Sequence, residues 1–79
     1  MIEFTDKVVV VTGAAGALGS AVVANFETLG AKVAGLDIAE QPGIMHCDLF
    51  DPESCVAAVT RVRDQYAGID ILVNVAGGF

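Results

Sequence analysis

The chain has 79 residues, 54% of them apolar and 18% charged, with ten acidic against four basic side chains and a formal net charge of −6. That length holds one small domain, the acidic balance argues against nucleic acid as a partner, and no apolar run approaches the length of a membrane span. Two cysteines, Cys47 and Cys55, and one histidine, His46, form neither a C-x-x-C pair nor a zinc-like spacing, so a disulfide framework or metal centre is not expected.

The apolar content is high for a free domain of this size, which buries only about 60% of its unfolded surface. It fits strands buried on both faces of a parallel sheet, or a piece of a larger protein. The cysteines are expected as small buried hydrophobes. The N-terminal "MIEFTDK" has no signal-peptide layout, and a soluble protein of the reducing cytoplasm is the expectation.

Lys7 to Thr12 predicts a strand, its four consecutive valines pointing to burial on both faces. A helix is expected from Gly16 or Ala17 to about Leu29, with Leu18, Val22, Phe26 and Leu29 on one face and Gly30 as a left-handed cap. Lys32 to Asp37 predicts a second strand, in which Gly35 implies a close backbone approach. "IAEQPG" is a loop with a Pro-Gly turn, and Ile44 to Cys47 a brief third strand. Asp51-Pro52-Glu53 opens a second helix, with Asp51 as N-cap, Pro52 in the first helical position and Glu53 at the positive dipole end. Cys55, Val59, Val62 and Tyr66 give its stripe, and Gly68 ends it. Asp70 to Val75 predicts a fourth strand.

This β-α-β-β-α-β order predicts an α/β fold with a doubly wound parallel sheet and right-handed crossovers, in spatial order 3-2-1-4. It is the first half of a dinucleotide-binding (Rossmann) fold.

The stretch "VVVVTGAAGALG" carries the chemistry. Gly13 can turn sharply with positive φ, Gly16 lets a bulky anion touch the backbone, and Gly19 lets the helix pack close to the sheet. The helix N-terminus offers unpaired N–H groups and a positive dipole end to a pyrophosphate. No lysine follows in the P-loop pattern, which disfavours a nucleotide triphosphatase. Asp37 ends the next strand 18 residues after Gly19, close to the roughly 20-residue gap of a ribose-binding acid. A carboxylate there accepts the ribose hydroxyls and repels a 2′-phosphate, which favours NAD over NADP.

Taken together, "TGAAGALG", "LDI", "CDL" and "NVAG" resemble the N-terminal half of the short-chain dehydrogenase/reductase family, from Lys7 to Gly77. The resemblance implies that Gly13, Ala15, Gly16, Leu18 and Gly19 line the pyrophosphate loop. It implies that Asp37 binds the adenosine ribose with Ile38 against the adenine, and that Asp48 and Leu49 meet the adenine edge through a carboxylate and a backbone N–H. Asn74, Ala76 and Gly77 would support the sheet and lie along the cofactor toward the nicotinamide, although Asn74 by itself reads equally as a tie between strands.

Two departures stand out. Ala17 occupies the second glycine position of the family's T-G-x-x-x-G-x-G loop while Gly16 precedes it, a spacing that also fits the T-G-x-x-G-x-x-G of the extended branch of epimerases and dehydratases. "NVAG" favours the hydride-transferring branch, but Val75 replaces the usual second Asn. His46, Tyr66, Arg61 and Arg63 are not expected to be catalytic.

The family's catalytic Ser, Tyr and Lys lie in later elements, so residues 1–79 are expected to be the NAD-binding half-domain of a longer enzyme. That enzyme would interconvert an alcohol and a carbonyl of a small molecule and assemble from like chains. The 79 residues alone are expected to bind NAD(H) at best weakly and to be inert. A stand-alone nucleotide-binding module docking through its open fourth strand is the rival from a different class.

Overall fold

The computed structural model describes residues 4–75, and its elements follow the expected order: β1 (Val8–Thr12), α1 (Ala17–Thr28), β2 (Lys32–Asp37), β3 (Ile44–His46), α2 (Pro52–Tyr66) and β4 (Ile71–Asn74). The four strands form one parallel sheet in the order β3-β2-β1-β4. In register, Thr12 lies beside Leu36 on one side and Asn74 on the other, and Asp37 beside His46. The strands therefore end together at one edge, and chain direction across the sheet reverses between β1 and β4.

The valine run is buried along its whole length because β1 is central and both its faces are covered. Successive side chains alternate between faces. Val8 and Val10 join Ala34, Leu36, Cys47, Ala58 and Val62 in a core beneath α2. Val9 and Val11 join Ala14, Val22, Val23, Phe26, Val33, Ile44, Ile71 and Val73 in a second core beneath α1.

The seam of each helix differs from the expected stripe. Leu18 is 68% exposed and Leu29 38% exposed; the α1 face that meets the sheet is Gly19, Val22, Val23 and Phe26. In α2, Val59 is 48% exposed and Ala58 is buried in its place. The reason is the same in both helices. The smallest residue lets the helix axis approach the sheet most closely, so the seam centres on Gly19 or Ala58, and the larger side chain next to it turns away.

Helix ends follow local chemistry. In α1, Gly30 adopts φ 91°, and the N–H groups of Gly30 and Ala31 donate to the carbonyls of Glu27 and Phe26, a Schellman termination. In α2, Asp51 accepts the Glu53 N–H at 3.0 Å, and Pro52 and Glu53 occupy the first turn. That helix ends on a left-handed Ala67 (φ 64°), one residue before the expected Gly68, which has φ 148° itself. Tyr66 packs beneath α2, and its hydroxyl donates to the Val33 carbonyl at 3.5 Å. Arg63 stays on the exposed side beside Asp64. Among the described residues, no helix is long and apolar enough to cross a membrane.

Candidate functional site

The candidate residues meet along the edge where the strands end. The glycine turn begins at Gly13, whose φ of 70° is a left-handed conformation that glycine adopts without steric cost. The Gly16 N–H donates back to the Gly13 carbonyl at 3.2 Å, closing the turn. Gly16 is the N-cap of α1, with extended backbone angles.

No side chain caps α1, and its first turn carries no acidic residue, whereas α2 has both an Asp51 cap and Glu53. The leading N–H groups of α1 are thus left without side-chain acceptors, in a field that favours a negative charge. Leu18 sits in this first turn, exposed. Gly19 does the packing expected of it: a Cβ there would lie 1.9 Å from the Gly13 carbonyl oxygen.

Strand parity then brings the acid to the loop. Val33, Gly35 and Asp37 share the α1 side of β2. Gly35 is buried, and a Cβ on it would lie 2.8 Å from the Ala14 Cβ and 3.0 Å from the Ile44 Cδ1. Its missing side chain lets the glycine turn lie directly on β2, and the Ala14 N–H donates to the Leu36 carbonyl at 3.1 Å. Two residues on, the Asp37 carboxylate accepts the Ala15 N–H on Oδ2 at 2.9 Å and the Ala39 N–H on Oδ1 at 3.0 Å. The Ala39 N–H lowers the Asp37 pKa below its ordinary 3.8; burial opposes this, and the N–H groups of Ala15 and Ile38 add to the lowering. Asp37 is therefore held as the anion, an acceptor-only group. Ile38 beside it is 61% exposed.

At the end of β3, Asp48 is half-buried and its Oδ1 accepts the Phe50 N–H at 3.0 Å, while its own N–H donates to Ser54 Oγ at 2.9 Å. Leu49 is 45% exposed. On the other side of β1, the Thr12 hydroxyl donates to Asn74 Oδ1, so Asn74 does tie β4 to β1. Asp70 adds a second tie at the opposite end of β4, accepting the Val8 N–H at 2.8 Å. Ala76 and Gly77 lie outside the described residues.

Several contributors were not singled out from the sequence. Thr12 precedes the first glycine in a strand-end position that gives no hint of a partner 62 residues away. Ser54 acts through a hydrogen bond that no spacing rule marks, while the Ala39 N–H closes a two-residue Asx turn on Asp37. Gly19 and Gly35, by contrast, are glycines whose place in a helix and a strand does point to a close approach.

The family model described as short chain dehydrogenase matches residues 7–79. The chain belongs to the short-chain dehydrogenase family. Its relatives include D-threitol dehydrogenase of Mycolicibacterium smegmatis, 37% identical over 90% of this chain and 33% of that protein. NAD-dependent glycerol dehydrogenase of Listeria innocua is 38% identical over 95% of this chain and 34% of that protein. Among solved structures, the aldohexose dehydrogenase of Thermoplasma acidophilum superposes with a TM-score of 0.83 and 36% identity, over 94% of this chain and 31% of that one. The chain thus spans about a third of the length of these short-chain dehydrogenases.

Proposed function

We propose that residues 1–79 form the NAD(H)-binding half-domain of a short-chain dehydrogenase that interconverts an alcohol and a carbonyl. The observation that carries this reading is the pairing of an α1 N-terminus without side-chain acceptors with the anionic Asp37 clamped to the same loop. The first suits a pyrophosphate. The second suits a ribose diol, whose hydroxyls are donors to a carboxylate.

In this reading Gly13, Ala15, Gly16, Leu18 and Gly19 surround the pyrophosphate, with Gly16 open enough for an anion to reach backbone. Asp37 holds the adenosine ribose, Ile38 flanks the adenine, and Asp48 and Leu49 meet its edge. Asn74, with Ala76 and Gly77 after it, leads toward the nicotinamide, while its side chain keeps β4 in register with β1. A bound nicotinamide would supply the hydride acceptor or donor. These residues bind and orient; none is placed to move a proton. A 2′-phosphate would meet the Asp37 charge, and no basic residue lies in the 38–43 loop to offset it. NAD is therefore the proposed cofactor, and a relative that is 38% identical is a NAD-dependent glycerol dehydrogenase.

The substrate is a small alcohol or carbonyl compound, the intact enzyme is proposed to assemble from like chains, and its setting is the reducing cytoplasm. The dehydrogenase and reductase names of the relatives favour this reading over an epimerase or a docking module. Calorimetric titration with NAD and NADP tests it. Asp37→Ala should weaken NAD about tenfold or more, the range of a hydrogen bond to a charged group, and leave NADP unchanged or improved. Equal loss for both cofactors, or none, removes the assignment.

A further inference from the structure

Cys47 and Cys55 play no part in the proposed cofactor chemistry, yet the fold brings them together. Alternation along the third strand and its continuation puts Met45 and Cys47 on the α2 side of the sheet, in the core that holds Ala58 and Val62. Cys55 is on the same stripe of α2 and packs against that core. Its Sγ lies 3.6 Å from the Asp48 carbonyl and 3.8 Å from the Leu49 carbonyl, the residues that directly follow Cys47. Both thiols are free.

We propose that Cys47 and Cys55 are a reversible thiol–disulfide site that fastens the end of β3 to α2 beneath Asp48 and Leu49. The two sulfurs have distinct parts. Cys47 is 4% exposed, and burial, with the neighbouring Cys55 and Asp48, raises its pKa above the ordinary 9.0. It is a poor first nucleophile, since the thiolate is the reactive form. Cys55 is only half-buried and meets an oxidant first.

With a peroxide as oxidant, the Cys55 thiolate forms an S–O bond as the O–O bond breaks and hydroxide leaves. The Cys47 sulfur then displaces the hydroxyl from Cys55: the S–S bond forms, the S–O bond breaks, and the Cys47 proton leaves with hydroxide as water. In sum, two thiols give up two electrons and the peroxide becomes two waters. The product has no S–H, so the Asp48 and Leu49 carbonyls lose the Cys55 donor. Because Asp48 and Leu49 carry the proposed adenine contacts, oxidation is expected to weaken NAD several-fold; this last step rests on the cofactor reading.

The test exposes the folded chain to hydrogen peroxide, then denatures it, alkylates it with iodoacetamide and weighs it. The untreated chain should take two alkyl groups. The oxidised monomer should take none, be lighter by two hydrogens, and regain both sites after dithiothreitol. Cys47→Ser should instead stop at an oxygenated Cys55. Two alkylatable thiols after peroxide, or disulfide only between chains, overturns the site. NAD titration of both forms reads the coupling separately. Equal affinity in the oxidised and reduced forms overturns the link to the adenine end. A reduced chain with no NAD affinity overturns the cofactor reading and the link with it, while the mass result decides the thiol pair on its own.

Discussion

Gly19→Ala tests whether α1 is seated directly on the glycine turn. The added Cβ would lie 1.9 Å from the Gly13 carbonyl oxygen, 2.6 Å from the Gly13 carbonyl carbon and 3.0 Å from the Ala14 Cα. Ordinary contact begins at 3.4 Å, so helix and turn must separate by 1.5 Å (3.4 − 1.9). All three neighbours are backbone, and no rotamer change relieves them. Overpacking costs about 1–3 kcal/mol, and a backbone clash belongs at the upper end, about 3 kcal/mol. At roughly 0.05–0.15 kcal/mol per residue, a chain of this length has about 4–12 kcal/mol in total. Each kcal/mol moves Tm by about 4–8 °C at this size, so the variant should melt about 12 °C lower or more, or fail to fold. Gly16→Ala is the matched control. Its Cβ would lie 3.5 Å from the Gly13 oxygen on a backbone with φ −77°, a conformation open to alanine. It should keep Tm within about 4 °C, the effect of under 1 kcal/mol, while crowding the approach to the α1 N-terminus and weakening NAD. Thermal denaturation followed by circular dichroism compares the two. If Gly19→Ala melts within a few degrees of the parent, close helix packing is not what that glycine provides.

Three further outcomes are expected. Asn74→Ala removes the bond from Thr12 between β1 and β4 and should cost about 1 kcal/mol in urea unfolding; no change in midpoint would show that the tie contributes nothing. Val62→Ala empties a fully buried position beneath α2 and should cost about 2 kcal/mol, with a cavity rather than a lost polar contact as the cause; a loss below about 0.5 kcal/mol would mean α2 collapses onto the sheet freely. The Asp37 pKa is lowered from 3.8 in the fold, so its contribution to stability is present above pH 3.8 and fades as pH falls through the lower folded value. Solvent screening keeps this small. Asp37→Asn should flatten the difference in unfolding midpoint between pH 5 and pH 3, and an unaltered difference would assign the acid sensitivity elsewhere.

The sheet was legible because its signals are redundant. Four β-branched valines in a row running into a glycine turn favour a strand buried on both faces, and Pro52 with Asp51 and Glu53 marks a helix start three ways. The helix seams were less legible, since apolar periodicity cannot tell Leu18 from Gly19. A large side chain scores highest in a hydrophobic stripe, but the closest approach to the sheet is made by the residue with least side chain. The same limit hid the left-handed Ala67. Glycine is the sequence marker for that conformation, and the chain turned one residue before it. The hydrogen bond from Thr12 to Asn74 joins residues that become neighbours only through the register of β1 with β4, which no local pattern encodes.

Asp37 and the glycine turn order each other within the fold itself. A lone carboxylate at a strand end would be free to rotate, and the glycine turn beside it would be free to open. Here each restrains the other: the Ala15 N–H fixes the carboxylate, and the carboxylate fixes the turn. Gly35 contributes to this, since a Cβ there would lie 2.8 Å from the Ala14 Cβ and press on the turn that holds Ala15 against Asp37. Ordering a loop on binding opposes affinity, and this turn is ordered already. The carboxylate also has acceptor capacity beyond its bonds to Ala15 and Ala39, because each oxygen carries two lone pairs. Under the proposed function, a ribose diol would join the clamp without breaking it. It follows that Gly35→Ala should resemble Asp37→Ala in cofactor affinity although residue 35 touches no cofactor in this reading. A Gly35→Ala chain that stays folded and binds NAD as tightly as the parent would separate the glycine turn from the acid and undo this account.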